Sequence, residues 1–247
     1  MLTIGRYRAR RADTQADLAA AQHLRALSFL GRAAPPDADA FDPVCTHIIV
    51  RDQFTDQLVC CFRMLLLASG DATSRSYSAQ FYDLSALETF RSPMAEVGRF
   101  CIHPEARDAD ILRVAWGGMA RFVDENGVRM LFGCSSFKGN DANPYLDAFT
   151  LLRNQYLAPD PWLPGIKSTS VFRFADLSHG DEPDRRAGLR VMPPLLRTYL
   201  GMGGWVSDHA VIDPLMNTLH VFTGLEIDAV PDARKRVLRA MAEHSAS

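Results

Sequence analysis

The pattern of apolar and polar residues predicts a chain in which strands and helices alternate. Two β-rich runs, 46–52 and 57–67, are separated by a short polar turn, which is typical of an antiparallel hairpin. From Asp110 to Asn126 the apolar residues recur at helical spacing, and Gly127 is a typical helix stop. We therefore expect an α/β fold with helices flanking one central sheet.

The same patterns predict the remaining elements and a division of the chain. Strands are expected at 7–10, 95–103, 128–137, 168–174 and 219–227. Helices are expected from Asp13, acting as the cap, to Phe29, from Asp141 or Asn143 to Tyr156, at 193–200 and at 232–243. The stretch 176–188 is predicted to be a linker or an exposed loop. We expect a core of residues 1–175 and a C-terminal extension of residues 176–247 that packs on the core and completes its binding pocket.

Composition limits the classes of function. The 247 residues carry a formal net charge of −2, which argues against bulk binding of nucleic acid. No apolar run approaches the roughly 18 residues that cross a bilayer, and the N-terminal arginines argue against a secretory signal. The five cysteines show no CxxC or Cys/His ligand spacing, so no disulfide framework and no metal site is predicted. A cytoplasmic protein is expected.

The segment EVGRFCIHP carries the most informative chemistry. It places a carboxylate, Glu96, and a guanidinium, Arg99, in an apolar strand. Their odd spacing would put them on opposite faces of a regular strand, but Gly98 permits a bulge that brings both toward one cleft. A buried ion pair is the structural alternative, and a functional role is the preferred interpretation because burying two charges is costly.

Other polar residues in apolar surroundings are further candidates. Arg63 interrupts the run LVCCFRMLLL, and Glu96 on a neighbouring strand would suit it as a partner, although Arg63 could also reach solvent from the sheet end. Asp42 precedes a proline and could simply organise a turn. His47, Ser135 and Ser136 could line a cleft, but ordinary hydrogen bonding for the histidine and strand termination for the serines are the favoured explanations.

These residues carry a resemblance to a known family. With the hairpin HIIV…LVCCFRML and the run GCSSF, the segment EVGRFCIHP resembles a GNAT-type acyltransferase, whose fold is a central mixed, mostly antiparallel sheet flanked by helices. Within that superfamily the chain is similar to acyl-homoserine-lactone synthases over residues 6–135. Positions of their pattern match Arg25, Phe29, Asp42, Arg63, Glu96, Arg99 and Phe100.

The match to the synthases has two departures. Their second aspartate corresponds to Cys45, and their tryptophan after the first helix is missing. The segments EVGRFCIHP and LFGCSSFKG and the tail from MPPLLRTYL onward resemble ornithine Nα-acyltransferases over nearly the whole length. This resemblance implies transfer of a 3-hydroxyacyl group from acyl carrier protein to the α-amino group of ornithine, which yields lyso-ornithine lipid.

The resemblance also implies roles for individual residues. Glu96 is the expected base, Arg99 and Arg63 orient it or the acceptor carboxylate, and Asp42 binds the ornithine side chain. His47, Ser135 and Ser136 would complete the acceptor site. The expected donor-binding residues are Arg25, Phe29, Phe100, Cys101, Ile102, Arg107 and Arg113.

The loop HPEARDADILR lacks the glycines with which GNAT enzymes usually hold the pyrophosphate of coenzyme A. We therefore expect no resident cofactor, because the pantetheine arm arrives on the carrier. Acyl carrier proteins are acidic, and Arg107, Arg113 and Arg153 are candidates for the docking patch, although ordinary solvated surface arginines would explain them equally well.

Three other functions stay open. They are acyl-homoserine-lactone synthesis, acetyl-CoA-dependent acetylation, and a non-catalytic acyl-carrier or lipid-binding regulator. The basic helix at 232–243 could contact the inner face of the membrane, although an ordinary surface helix fits its sequence as well. The sequence predicts neither the acyl-chain length nor the oligomeric state.

Overall fold

The computed structural model describes residues 1–31, 34–177 and 183–243, which form two compact units. The first unit contains residues 1–66, 97–128 and those from 231 onward, and the second contains 67–96 and 129–230. The strands are β1 (Leu2–Ile4), β2 (Tyr7–Arg11), β3 (Thr46–Asp52), β4 (Leu58–Leu67), β5 (Tyr82–Asp83), β6 (Met94–Ile102), β7 (Met130–Lys138), β8 (Gly165–Ile166), β9 (Val171–Phe172), β10 (Trp205–Asp213) and β11 (Thr218–Glu226). The α-helices are α1 (Gln15–Phe29), α2 (Ala109–Glu125), α3 (Leu146–Gln155), α4 (Arg185–Val191), α5 (Pro194–Leu200) and α6 (Asp232–Glu243).

In the first unit, β1 to β4 form a run of antiparallel neighbours, and the second part of β6 lies beside β4. Helix α1 covers this sheet, because its apolar residues Ala21 and Leu24 pack with Ile49, Cys61 and Cys101. Helix α2 packs against β1 to β3 and against α6. The sheet of this unit is thus covered by α1 and α2, two helices that the spacing of apolar residues predicts.

In the second unit, the first residues of β6 pair in parallel with β7, from Met94 opposite Met130 to Glu96 opposite Phe132. The order continues with β11, β10 and β9, all antiparallel to their neighbours. One face of this sheet packs on α3 through an apolar cluster that includes Phe137, Phe149 and Val221. The predicted fold class, a mixed and mostly antiparallel sheet flanked by helices, is confirmed.

Several predicted elements differ in detail from the structure. The cap of α1 is Thr14, whose hydroxyl accepts from the Asp17 amide, rather than Asp13. Strand β10 was not predicted, and the strand expected at 168–174 is reduced to Val171–Phe172. The loop expected at 176–188 contains the start of α4, and its residues 178–182 lie outside the described residues. The division at residue 175 stays a prediction.

Across the described ranges, no helix is both long and apolar enough to cross a membrane.

Candidate active site

Three arginines and three aspartates of the first unit form a closed ring of ion pairs. The arginines come from three different elements, α1, β4 and β6, whereas the aspartates all come from the short segment that precedes β3. We call this set the charge ring; its members are Arg25, Asp42, Arg63, Asp39, Arg99 and Asp37.

Asp42 is the most heavily bonded member of the charge ring. Its carboxylate accepts from Arg25 Nη1 at 2.7 Å and Nη2 at 2.9 Å, and from Arg63 Nη1 at 2.7 Å. Gln22 Nε2 donates a fourth bond at 2.9 Å. His47 Nε2 lies 2.9 Å from the main-chain oxygen of Asp42. These four bonds fill the usual acceptor positions of a carboxylate, so binding of ornithine by Asp42, which stays a prediction, would require exchange of a partner.

The other two aspartates close the ring. Asp39 receives a two-pronged contact from Arg63, at 2.5 and 2.8 Å, and a bond from Arg99 Nη2 at 3.2 Å. Asp37 Oδ2 accepts from Arg99 Nε and from Arg25 Nε, both at 2.9 Å. Each guanidinium therefore bridges two carboxylates. The sequence named Glu96 as a suitable partner for Arg63, whereas the carboxylates that bind Arg63 are Asp39 and Asp42.

In the charge ring, burial disfavours the charged forms of the side chains, whereas their ion pairs stabilise those forms. Arg25 is 1% exposed and Arg63 3%. Burial opposes ionisation of Asp42, but hydrogen bonds from Arg25 and Gln22 outweigh it and hold the pKa of Asp42 below its usual range. Burial lowers the pKa of His47, which favours its neutral form. The ring thus combines three arginines and three aspartates, whose formal charges balance, inside the first unit.

Strand β6 departs from regular geometry at Arg99. Its φ of 54° lies in the left-handed region, which costs a non-glycine residue about 1 kcal/mol or more. The sequence predicted the irregularity at Gly98, one residue earlier. A Cβ added at Gly98 would lie 3.6 Å from Arg63 Nε, an ordinary contact. The two ion pairs of Arg99 hold its side chain in place and stabilise the unusual backbone.

Glu96 lies in the second unit, and its carboxylate is held by one turn of chain. Oε1 accepts from the Ser78 amide at 2.7 Å and from the Ser78 hydroxyl at 2.6 Å, and Oε2 accepts from the Tyr77 amide at 2.8 Å. Glu96 is 4% exposed. Three donors stabilise its negative charge and fix its orientation.

Strand register places the candidate residues of the second unit on two faces. Glu96 is opposite Phe132, and side chains alternate along β7, so Ser136 shares the face of Glu96. Ser135 points to the other face, where its Oγ accepts from Thr223 Oγ1 at 2.9 Å. Ser136 is exposed and Ser135 is buried. Of these two serines, Ser136 is therefore the one on the face that carries the candidate base.

On the same face of this sheet, the buried side chain of Tyr82 contacts histidines of β10 and β11. The Tyr82 hydroxyl donates to the His220 main-chain oxygen at 2.7 Å and lies 3.2 Å from His220 Nδ1. Burial lowers the pKa of His220 to about 4, so this imidazole is neutral at pH 7. The Tyr82 ring also packs against His209. The sequence predicted none of these residues as part of the site.

The expected donor-binding residues fall into different environments. Phe100 stacks on Phe62, with ring centroids 5.3 Å apart. Cys101 is 5% exposed and faces the core beneath α1, where its Sγ lies 3.5 Å from Cys61 Sγ, so its thiol is not presented at the surface. The Ile102 carbonyl accepts from Ser28 Oγ at 3.3 Å. Phe29 is 36% exposed. Arg25, buried in the charge ring, presents no surface to a carrier protein.

The start of α2 is acidic. Asp108 caps the helix by accepting from the Asp110 amide at 2.9 Å, and Asp110 itself lies in the first turn. Arg107 is exposed, and Arg113 is exposed and paired with Asp110 at 3.0 Å. Arg153 is 8% exposed and bonds the main-chain oxygen of Leu177 in the second unit, so its proposed place in a docking patch is wrong.

Two kinds of neighbour of the candidate residues were not predicted from the sequence. Asp37 and Asp39 lie just before Asp42 in DADAFD, and three aspartates this close together are a signal for paired cations. Tyr77 and Ser78 bind Glu96 mainly through main-chain amides, which leave no trace in residue types.

Comparisons with known proteins identify the family to which the chain belongs. The acetyltransferase (GNAT) domain family matches residues 24–117. An L-ornithine N(alpha)-acyltransferase of Rhodobacter capsulatus is 30% identical over 244 residues, which cover 93% of this chain and 93% of the relative. One of Brucella abortus is 29% identical over 92% of this chain and 86% of its own. A solved N-acyl amino acid synthase from uncultured soil microbes overlaps 97% of this chain and 98% of its own, at 10% identity and a TM-score of 0.49. The chain is an N-acyltransferase and belongs to the L-ornithine N(alpha)-acyltransferase family.

Proposed function

We propose that this chain transfers a 3-hydroxyacyl group from the thioester of acyl carrier protein to the α-amino group of ornithine, which yields lyso-ornithine lipid. The names of the relatives support ornithine as the acceptor. The observation that carries the chemistry is the buried carboxylate of Glu96, which accepts three hydrogen bonds from Tyr77 and Ser78.

In the proposed reaction the neutral α-amine attacks the thioester carbonyl. A C–N bond forms, the C–S bond breaks, and the pantetheine thiol leaves with a proton that the amine has released. Glu96 is proposed to take the first proton from the ammonium, directly or through water. Main-chain amides of β6 near Arg99 are proposed to stabilise the oxyanion.

The acceptor contacts are proposed from charge and exposure. Arg99 is the most exposed arginine of the charge ring, with 13% of its side chain accessible, and a guanidinium matches the carboxylate of an amino acid with two hydrogen bonds. Ser136 is proposed to contribute a hydroxyl on the face of Glu96. Asp42, Arg63 and His47 are buried and hydrogen-bonded to one another. They are proposed to fix the segment that carries Asp37 and Asp39, rather than to contact ornithine.

The start of α2 supports a carrier protein rather than coenzyme A as the donor. Phosphates bind helix N-termini through free amides and the positive end of the helix dipole. Here the Asp108 carboxylate occupies an amide of that turn, and Asp110 adds a second negative charge. Coenzyme A carries several phosphate charges, whereas a carrier-bound pantetheine has one phosphodiester. No resident cofactor is proposed.

The proposed docking patch for the carrier contains Arg107 and Arg113, which are exposed beside this turn. Replacing both by glutamate should raise KM for acyl carrier protein by about tenfold, because acidic carriers are attracted by opposite charge. The KM for ornithine should not change. Steady-state kinetics at two salt concentrations would measure both. Arg8→Glu, an exposed arginine on β2, is the matched control, and an equal effect there would contradict the patch.

The proposed place of action is the cytoplasm and the inner face of the membrane. The exposed Arg234 and Arg236 of α6 could attract anionic lipid there, and Val237 is 49% exposed beside them.

The proposed function is tested by incubating the purified chain with ornithine and a 3-hydroxyacyl carrier protein. Mass spectrometry should detect ornithine acylated at the α-amine, and the same acyl group on coenzyme A should react at least about 100-fold more slowly. Equal use of the two donors would contradict the carrier assignment. A lactone formed from S-adenosylmethionine would instead support a homoserine-lactone synthase, and absence of any acylated ornithine would contradict the proposed function.

A further inference from the structure

The segment that holds Glu96 is itself fixed at several points by residues that follow β7 in the chain. Tyr77 and Ser78 supply all three of the donors to Glu96 described above. One residue later, the Ala79 oxygen accepts from Lys167 Nζ at 2.6 Å. The Phe81 oxygen accepts from the Ser168 amide at 3.0 Å. The position of the Glu96 donors therefore depends on how firmly residues 79–82 are held.

The firmest of these attachments is at Tyr82. Its side chain is buried, and β5 pairs Tyr82 with Ile166 of β8. A tyrosine hydroxyl has one proton, which is donated to the His220 main-chain oxygen; the hydroxyl oxygen can then accept from His220 Nδ1. This reciprocal pair fixes the ring of Tyr82 against β11 and assigns the proton of the neutral His220 to Nδ1. Phe222 packs edge-on against the same ring, so few other positions are open to it.

We propose that Tyr82 and His220 are positioning residues for Glu96. They anchor the end of the segment whose beginning donates to the carboxylate, and all of these contacts lie within the second unit. The proposal rests on the proposed function, because it takes Glu96 to be the base. A base displaced by a fraction of an ångström loses rate without losing substrate binding.

The central test is Tyr82→Phe, which removes the hydroxyl and keeps the ring. Its kcat should fall by about tenfold or more, while KM for the acyl carrier protein stays within about twofold. Amide hydrogen exchange at Tyr77 and Ser78 should become faster. The control Tyr145→Phe removes a hydroxyl that donates to the Lys138 oxygen at 2.7 Å, and it should change neither kcat nor exchange at 77–78.

A second variant covers the case in which Tyr82→Phe does not fold. Lys167→Met removes the bond to the Ala79 oxygen from an exposed side chain, and kcat should fall by about threefold with the same exchange signature. Wild-type kcat in Tyr82→Phe or, should that variant not fold, in Lys167→Met would overturn the positioning proposal, provided that Glu96→Gln is inactive. If Glu96→Gln is fully active, the assignment of the base fails instead.

Discussion

Glu96→Gln is expected to lower kcat by about 100-fold or more, because general base catalysis typically contributes 10²–10⁴-fold. The amide keeps the shape of the side chain and can still accept from both donors of Ser78. It cannot take a proton from the attacking ammonium. Steady-state kinetics with ornithine and acyl carrier protein would measure the loss, and KM for the carrier should change little.

The control for this substitution is Glu88→Gln, which removes an exposed carboxylate from the same unit. It should leave kcat unchanged. Thermal unfolding of Glu96→Gln should show a cooperative transition, which separates lost chemistry from lost structure. A folded variant whose kcat stays within about threefold of the wild type would show that Glu96 is not the base, since even a modest general base contributes more than that.

Asp42→Ala is expected to lower the free energy of unfolding by about 3–5 kcal/mol, the usual cost of removing one partner from a buried ion-pair network. The substitution removes three ion-pair contacts and leaves Arg25, 1% exposed, with Asp37 alone and Arg63, 3% exposed, with Asp39 alone. Chemical denaturation at pH 7 would measure the change. Kinetics on the folded fraction should show reduced activity, because Arg99 shares its aspartates with these two arginines.

The control is Glu125→Ala, which removes exposed ion pairs with Arg121 and Arg11 and should cost about 1 kcal/mol or less. The pKa of Asp42 lies below its usual value, so its contribution is complete at pH values above about 4. The contribution is lost only as the pH falls further, toward the lowered pKa. The difference between the wild type and Asp42→Ala should therefore shrink in strong acid. A difference at pH 7 as small as that of Glu125→Ala would contradict the account of the charge ring.

The fold was predictable wherever the apolar period was regular. The hairpin of β3 and β4, helix α2 and helix α6 follow the sequence closely. Strand β10 was missed because Ser207, Asp208 and His209 interrupt its alternation at the point where its register with β11 shifts. Strand β10 forms in spite of this local irregularity because it pairs with β11 and β9, and such pairings cannot be read from a short stretch of sequence.

The candidate site was predictable as a set of residues but not as a set of contacts. Glu96, Arg99 and Arg63 were identified because charges in apolar strands are conspicuous, and Asp42 was identified from the residues next to it and from the family pattern. Their partners were not identified, because Asp37 and Asp39 come from an irregular segment and the donors to Glu96 are mainly main-chain amides. Contacts between residues far apart in sequence depend on packing, which residue types alone do not specify.

The order of the elements has a consequence for synthesis on the ribosome. Neither unit is a continuous stretch of chain: the first is completed by α6, which packs on α2, and the second needs β11 beside β7. Domains generally fold as units while the chain emerges. Here β7 cannot pair with β11 until β11 has been translated, about 80 residues later. We therefore expect both units to reach their native form only when translation of the described chain is nearly finished.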